Sequence, residues 1–499
     1  MTLTDRPAVI PLLLSLALVV LYLAFPTKVY YWDGVVFAQS IEDAAGANVS
    51  LAHPNHLLYN FAGYFCYKLL RGFDANIRAI AALQILNSLF SAGCAAILFI
   101  ILRDTLRSTY FSVCLASLFA LSATWWKFST DANAFIPSVL FLLVSFYLAL
   151  PDRKPRPLLL ALSFFAAMCF HELAVIAFPV FALGVYLQDG TISIRRRFRN
   201  ALVFAAVAFV LIVGAYALVF YLTTRSTEVA RLLRWTTSYS KDADTRFGLW
   251  SNLAYSMRGE VRLFFGGRVD VLHGLMNPFI VLLLALFLIA VVLSVFAFVL
   301  NLASLKPRLH RLRLLPGQKT TLLLALVWAV VYLIFLFFWL PQNTFYRLFY
   351  LPALIILLGL ALSAFPRTRR RTFATALFTA AVALANFLFL IYPSSHVEKY
   401  PPLAFALQMN RDWPAGTVIY YGAQNSDEAL VRYFNRNASW KLLAAEYPSD
   451  TNAWLETSAI DRLASTPEGT RWLQTHTRSG SLRELNNGDH RIRFVQLSP

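Results

Sequence analysis

Long apolar runs recur along the chain and alternate with short polar loops. A helix needs about 20 apolar residues to cross a hydrocarbon core of about 30 Å. The pattern therefore predicts an all-α polytopic membrane protein with about eleven transmembrane helices. The predicted spans are 8–25, 77–102, 109–126, 134–150, 157–170, 172–188, 200–223, 276–303, 320–340, 345–364 and 372–392.

The last part of the chain, residues 394–499, is polar and differs from what precedes it. The stretch AGTVIYYG (415–422) predicts a strand, because β-branched and aromatic residues stand between two glycines. The stretch SDEALVRYF (426–434) predicts a helix with a serine or an aspartate near its N-cap. We therefore expect a transmembrane domain over 1–393, followed by a small α/β domain.

The stretch 56–71 decides the topology, because it is apolar enough for a span but carries a polar stripe. Its polar and amphipathic side chains recur every three or four residues, which places them on one face of a helix. They are His56, Asn60, Tyr64, Tyr67, Lys68 and Arg71. A striped helix suits the membrane interface, so we expect an amphipathic juxtamembrane helix in the first outer loop.

The basic clusters support this choice. With 56–71 on the surface and the N-terminus inside, all of them fall in the cytoplasm, as the positive-inside rule requires. The clusters are Arg103 with Arg107, and residues 153–156, 195–199, 306–313 and 367–371. The same arrangement places the C-terminal domain outside the cytoplasm.

Composition changes this picture little. The chain is 58% hydrophobic and 14% charged, whereas a soluble domain carries about 25% charged residues. The net charge of +18 comes largely from the cytoplasmic loops, so the expected partner is the lipid bilayer and not a nucleic acid. The four cysteines all lie in apolar segments without metal-ligand spacing, and we interpret them as small core residues.

Most of the other polar and ionisable residues fall on the outer side under this topology. The candidate site residues are Asp33, His53, His56, Lys127, Asp131, His171, Glu172, Asn343 and Arg347. The outer loop 224–275 adds Lys241, Arg258, Glu260 and Arg262. Glu42 and Asp43 we interpret instead as a solvated helix face.

His171 and Glu172 lie in the middle of the long apolar stretch 157–188. Two helices of about 15 residues would each reach only about 22 Å, less than the thickness of the hydrocarbon core. We therefore expect a short hairpin whose tip is recessed and lines a water-filled cavity. The alternative is a His–Glu pair that only locks two helices together.

The element HPNH, with His53 and His56 at its ends, resembles a metal site only superficially. Two histidines with a distant carboxylate can bind a divalent ion, but the sequence contains no convincing set of ligands. The sequence therefore leaves metal dependence open without supporting it and indicates no other cofactor, and we interpret the histidines as substrate or phosphate contacts.

A carboxylate near the interface, together with several cations, suits transfer of a sugar from a lipid-linked phosphosugar. Lysine, arginine or protonated histidine would hold the phosphate leaving group. A carboxylate would take the proton of the acceptor hydroxyl, which predicts an inverting single displacement. Lys127 and Arg347 are the candidates for phosphate binding, with interfacial snorkelling as the alternative for each.

Several motifs resemble those of the GT-C superfamily of polyprenyl-phosphate-dependent glycosyltransferases, in the branch of protein O-mannosyltransferases and lipid A aminoarabinose transferases. YYWDG places Asp33 where this family has an aspartate after the first span. LAHPNHLLYN (51–60) resembles an element downstream of that aspartate, without its second proline. STDANAFIPSVLFLL (129–143) and FFAAMCFHELAVIAFPV (164–180) resemble the acidic stretch and the short hairpin.

This resemblance implies that Asp33 is the general base of a membrane glycosyltransferase. It implies a polyprenyl-phosphate-linked sugar donor and an acceptor that is a protein, a lipid or a glycan. The resemblance supports functional roles for Asp131, His171 and Glu172 less strongly, because the residue types at these positions differ from those of the family. We expect a multi-pass protein of the bacterial inner membrane with a periplasmic C-terminal domain.

Two other functions fit parts of the pattern. A transporter or flippase of a lipid-linked or anionic substrate would explain the cations, but the chain shows no paired repeats. A non-catalytic assembly protein would explain the C-terminal domain, but not the clustering of ionisable residues on one side.

Overall fold

The computed structural model describes most of the chain, in twelve ranges. These are residues 9–188, 191–238, 248–267, 277–304, 314–363, 369–422, 426–443, 447–448, 450, 453–478, 481–487 and 490–498. Lys241 and the basic cluster 306–313 lie outside the described residues.

Helices make up most of the structure. They are α1 (Val9–Ala24), α2 (Trp32–Asp43), α3 (Tyr59–Arg71), α4 (Ala79–Leu106), α5 (Thr109–Ala120), α6 (Ala123–Ser129), α7 (Phe135–Ala149), α8 (Pro157–Phe170), α9 (Phe178–Leu187), α10 (Ile194–Thr224), α11 (Val229–Thr236), α12 (Leu249–Phe264), α13 (Pro278–Ser304), α14 (Pro316–Trp339), α15 (Leu351–Ser363), α16 (Arg369–Asn386), α17 (Tyr392–Ser394), α18 (Pro401–Asp412), α19 (Ser426–Phe434), α20 (Thr457–Ala464) and α21 (Pro467–His476). Short 3₁₀ helices include Glu172–Ala177 and Phe345–Phe349, and a π-helical turn spans Phe387–Ile391.

Two compact units are present. The first, here called the membrane unit, comprises Met1–Pro26 and Ser40–Pro393. The second, here called the sheet unit, comprises Thr27–Gln39 and Ser394–Pro499. The first part of α2 therefore groups with the end of the chain.

Apolar helices of membrane length make the chain an integral membrane protein. Among the described residues, four helices are long and apolar enough to cross a membrane, and a bent helix pair makes up to five. The four are Ala79–Leu106, Ile194–Thr224, Gly317–Trp339 and Arg371–Ser394. Shorter apolar helices of 10–17 residues accompany them, so the count of about eleven spans stays a prediction.

The predicted span 109–126 is not one straight helix. Helices α5 and α6 meet at an angle of 69°. Ser122 has extended backbone angles (φ −65°, ψ 148°), and its hydroxyl donates to the carbonyl of Phe119. Asn386 also donates its side-chain amide to the carbonyl of Leu121, at 2.9 Å, so the carbonyls freed by the break keep a partner.

Helix α3 confirms the helix predicted within 56–71. Its 13 residues reach only about 20 Å, which is too short for a span. The predicted stripe lies against the protein, because Asn60, Tyr64 and Tyr67 are buried. The opposite face is apolar and exposed, with Phe65 at 61% and Leu69 at 64% exposure.

The sheet unit contains a five-stranded sheet with the order β2-β1-β3-β5-β4. The strands are β1 (Thr417–Tyr421), β2 (Ala438–Leu442), β3 (Trp454–Glu456), β4 (Arg483–Asn487) and β5 (His490–Gln496). Strand β1 pairs in parallel with β2 and β3, whereas β5 pairs antiparallel with β3 and β4.

Helices cover both faces of this sheet. Ile419 packs with side chains of α18 and α19, and its neighbour Tyr420 packs with side chains of α20. Side chains of a strand alternate between faces, so these two neighbours mark the two cores. Strand β1 and helix α19 confirm the strand predicted at 415–422 and the helix predicted at 426–434.

Candidate active site

Asp33 lies in the first turn of α2, in the part of that helix that belongs to the sheet unit. Two contacts join the segment Thr27–Gln39, which contains Asp33, to residues of Ser394–Pro499. The backbone N–H of Lys28 donates to the carbonyl of Ser394 at 2.6 Å, and the ring of Tyr30 stacks on Phe434 at 5.3 Å. Burial raises the pKa of the Asp33 carboxyl, and a side-chain hydrogen bond with Tyr31 partly offsets this. A carboxylate with a raised pKa is a stronger base.

Glu42, at the other end of α2, is not the solvated residue that the sequence predicted. Its carboxylate accepts three hydrogen bonds from the Arg78 guanidinium, with Nε–Oε1 at 2.9 Å, Nε–Oε2 at 3.2 Å and Nη2–Oε2 at 3.0 Å. It also accepts the backbone N–H of Ala79, the first residue of α4, at 2.8 Å. Glu42 therefore ties α2 to the start of α4, whereas Asp43 is exposed as predicted.

Three of the predicted histidines form a cluster in the membrane unit. The rings of His53 and His56 stack with their centroids 4.2 Å apart, across a tight turn closed by the His56 N–H and the His53 carbonyl. The turn is fixed to the hairpin tip, because the Glu172 N–H donates to the Asn55 carbonyl at 2.9 Å. His171 lies next to this contact and is 4% exposed.

The histidines of the turn are neutral at pH 7. Burial lowers the pKa of His53 to about 4. Burial, together with His53 and His171 as neighbours, lowers the pKa of His56 well below its usual value. These two histidines can therefore contact a substrate only as neutral groups, and their contact with a substrate stays a prediction. The Nδ1 of His53 accepts the Asn55 N–H at 3.3 Å, which leaves the proton on Nε2 as a neutral donor.

Lys127 and Asp131, both predicted site residues, form an ion pair with Nζ–Oδ2 at 2.7 Å. The Asp131 side chain is fully buried, whereas that of Lys127 keeps 19% exposure. The Oδ1 of Asp131 accepts the Ala132 N–H at 2.9 Å. The buried carboxylate thus holds the ammonium in place, and part of the Lys127 side chain reaches the surface.

A polar stripe on α4 holds the loop that carries Asp131. Asn87 donates to the carbonyls of Asp131 and Asn133, at 2.7 and 2.9 Å, and Gln84 donates to the carbonyl of Thr130 at 2.8 Å. Sequence reasoning missed these residues. Their spacing was the available signal, because buried Gln84, Asn87, Ser88 and Ser91 recur at helical intervals in an apolar span.

Arg347 is almost fully buried and its guanidinium is engaged within the protein. It donates to Glu260 at 2.5 Å, to the hydroxyl of Tyr350 at 2.7 Å and to the carbonyl of Pro341 at 2.8 Å. A Cβ on Gly259 would clash with the guanidinium, so this glycine permits the close approach. The arrangement joins α12 to the helix Phe345–Phe349, and phosphate binding by Arg347 stays a prediction.

Asn343 has a local role in the structure. Its Oδ1 accepts the N–H of Tyr346 at 2.9 Å, which caps the short helix Phe345–Phe349. Its contact with a substrate stays a prediction.

A cluster of aromatic rings connects these separate groups. Phe135 stacks on Phe345 at 5.3 Å and contacts His171 at 5.0 Å. Phe345 contacts Phe128, whose ring lies 5.5 Å from the ammonium of Lys127. The Lys127–Asp131 pair, the hairpin tip and the helix of Arg347 therefore border one cluster of rings in the membrane unit.

Within the described ranges, no three His, Cys, Asp or Glu side chains are grouped in a way that would hold a metal ion. Arg258 and Arg262 lie on α12, and Lys241 lies outside the described residues.

Comparisons with known proteins bear on the fold. No protein-family model matches the chain, and no curated protein matches it. The crystal structure of ArnT from Cupriavidus metallidurans bound to undecaprenyl phosphate matches with a TM-score of 0.63 and 10% identity, over 98% of this chain and 97% of that chain. The apo state of that protein matches with a TM-score of 0.59 and 12% identity, with the same coverage.

A weaker match is the Archaeoglobus fulgidus oligosaccharyltransferase in complex with Zn and sulfate. It has a TM-score of 0.43 and 12% identity, over 86% of this chain and 61% of that chain. The two ArnT structures, matched over nearly the whole length, show that the chain shares their fold.

Proposed function

We propose that the protein is a membrane glycosyltransferase that moves a sugar from a polyprenyl-phosphate donor to an acceptor hydroxyl on the outer side of the membrane. The observation that carries this proposal is the similarity to ArnT bound to undecaprenyl phosphate, which extends over 98% of the chain. The motif YYWDG and the cluster of polar groups in the membrane unit support it independently.

In the proposed reaction, the acceptor oxygen attacks the anomeric carbon of the donor sugar. The bond between that carbon and the phosphate oxygen breaks, and the polyprenyl phosphate leaves with the electron pair. The Asp33 carboxylate takes the proton of the acceptor hydroxyl. One displacement inverts the configuration at the anomeric carbon.

The leaving phosphate needs donors that stabilise its charge. Lys127 is the strongest candidate, because it carries a positive charge that the buried Asp131 fixes in position and its side chain keeps 19% exposure. The neutral Nε2–H group of His53 suits a hydrogen bond to a sugar hydroxyl or a phosphate oxygen. Asp131 and Glu172 then position other groups and need not touch the reacting atoms.

The test is Asp33→Asn, which keeps the shape of the side chain but cannot accept the proton. Purified variant is incubated with a panel of radiolabelled undecaprenyl-phosphate sugars and acceptor membranes. We expect transfer to fall about 10²- to 10⁴-fold, the usual contribution of a general base. Binding of undecaprenyl phosphate, measured by native mass spectrometry, should persist.

The matched control is Asp43→Asn, which removes an exposed carboxylate from the same helix. It should transfer like the wild type. Full activity of Asp33→Asn would rule out Asp33 as the base. Transmembrane flux of the lipid without any glycosyl product would instead favour the transporter that the sequence left as an alternative.

A further inference from the structure

A cavity of about 600 Å³ lies in the membrane unit, apart from the groups described above. It is bordered by the C-terminal end of α4, the loop between α7 and α8, and the start of α14. Its lining includes Asp104, Arg107, Asp152, Arg153, Leu315 and Gln318. This volume is typical of a small-molecule site.

The cavity and the candidate active site lie at opposite ends of one helix. Asn87 holds the Asp131 loop, and Thr105 lines the cavity. The 18 residues between them on α4 correspond to about 27 Å of helix. A ligand of the cavity would therefore lie at the other membrane surface from the Lys127–Asp131 pair.

Among the described residues that line the cavity, the charges balance each other, with two carboxylates and two guanidinium groups. Arg153 pairs with Asp104 at 2.5 Å. Asp152 has no ion-pair partner among the described basic residues, and its carboxylate lies beside Gly317 at the start of α14. A ligand with a positive and a negative group matches this wall better than an ion of one sign.

An apolar row lies on α14 beyond the cavity. Leu315, the residue before this helix, borders the cavity and is 44% exposed, and Lys319 is exposed on the first turns of the helix. Leu323, Leu326 and Val330 are then exposed at intervals of three or four residues. Such a row on a membrane helix offers a surface for an acyl chain. A soluble zwitterion has no acyl chain and would not use this surface.

We propose that this cavity binds the headgroup of a zwitterionic phospholipid that carries a primary ammonium, of the phosphoethanolamine type. Arg107 and Arg153 contact the phosphate, and Asp152 accepts hydrogen bonds from the ammonium. One acyl chain lies along Leu315, Leu323 and Leu326. A quaternary ammonium headgroup cannot donate these hydrogen bonds, and a purely anionic headgroup would be repelled by Asp152.

The test uses the full-length protein in detergent and native mass spectrometry. Phosphatidylethanolamine, phosphatidylcholine and phosphatidylglycerol with identical acyl chains are added at equal concentration. We expect phosphatidylethanolamine to bind about tenfold more tightly than either of the others. Asp152→Asn should reduce its binding to the level of phosphatidylcholine, and Arg107→Gln should weaken it independently.

Lys154→Gln is the matched control, because it removes an exposed charge beside Arg153 that does not line the cavity. It should leave the preference unchanged. Equal binding of the three lipids, or an unchanged preference in both Asp152→Asn and Arg107→Gln, would overturn the proposal. Equal competition by free phosphoethanolamine would overturn the role of the acyl chain and hence the lipid assignment.

Discussion

At the scale of single residues, the environment of a side chain determines its chemistry as much as its identity does. His53 and His56 were predicted to contact a substrate or a phosphate, and burial lowers the pKa of both, so that they would do so as neutral groups. Arg347 was predicted to bind a phosphate, and its guanidinium donates to Glu260, Tyr350 and a carbonyl within the protein. The sequence identified polar residues worth examining, but burial and pairing depend on contacts between distant segments, which a local pattern does not contain.

The neutral state of His53 predicts how stability depends on pH. The folded protein binds the His53 proton only near pH 4, whereas the unfolded chain binds it near pH 6.5. Between these values the unfolded state binds more protons, so the free energy of unfolding falls as the pH is lowered. A full shift of this size is worth on the order of 3 kcal/mol.

We therefore expect His53→Gln to lose less stability than the wild type on acidification. Melting temperatures in detergent between pH 7.5 and 4.5 measure this. The raised pKa of Asp33 acts in the opposite direction in both proteins and cancels in the comparison. Identical pH profiles of the two proteins would show that His53 is not held neutral by the fold.

At the scale of helices and strands, the hydrophobic pattern predicts well that a helix exists. It predicts poorly where that helix is interrupted. The span predicted at 77–102 corresponds to α4 (Ala79–Leu106), and that at 157–170 coincides with α8. The break between α5 and α6 was missed, because both halves are apolar and no proline marks it. What stabilises the break is Asn386, more than 260 residues away in sequence.

The contact between Glu42 and Arg78, which joins α2 to α4, can be tested by substitution. In Glu42→Gln, the half-buried Arg78 loses its charged partner and α4 loses the carboxylate at its N-terminus. We expect the free energy of unfolding to fall by about 1–3 kcal/mol. Thermal unfolding in detergent measures the change.

Asp43→Asn is the control for this substitution, because Asp43 is the exposed neighbour on the same helix. It should change stability by less than about 0.5 kcal/mol. Equal effects of the two substitutions would mean that the Glu42–Arg78 contact contributes nothing specific.

At the scale of the whole molecule, the charge pattern predicts which side of the membrane each region occupies. Accessibility of single cysteines to an impermeant reagent tests this topology. A single cysteine is introduced at Gln474, exposed on α21, or at Lys154, exposed between α7 and α8. The native cysteines Cys94, Cys114 and Cys169 are buried, and Cys66 is replaced by alanine.

A membrane-impermeant maleimide should label Gln474→Cys on intact spheroplasts and Lys154→Cys only after permeabilisation. This result follows from the positive-inside rule. The reverse pattern would place the C-terminal region in the cytoplasm and would mean that 56–71 crosses the membrane.

The grouping of Thr27–Gln39 with the end of the chain has a consequence for biosynthesis. Tyr30 stacks on Phe434, and 404 residues separate the two in sequence. At about 5–20 residues per second, the ribosome needs roughly 20–80 s to make the intervening chain. The segment that carries Asp33 is thus synthesised well before the partner on which it packs, and it completes its packing only after that partner is made. A nascent chain released before residue 434 would insert most of its helices and still lack the packing that holds its proposed base.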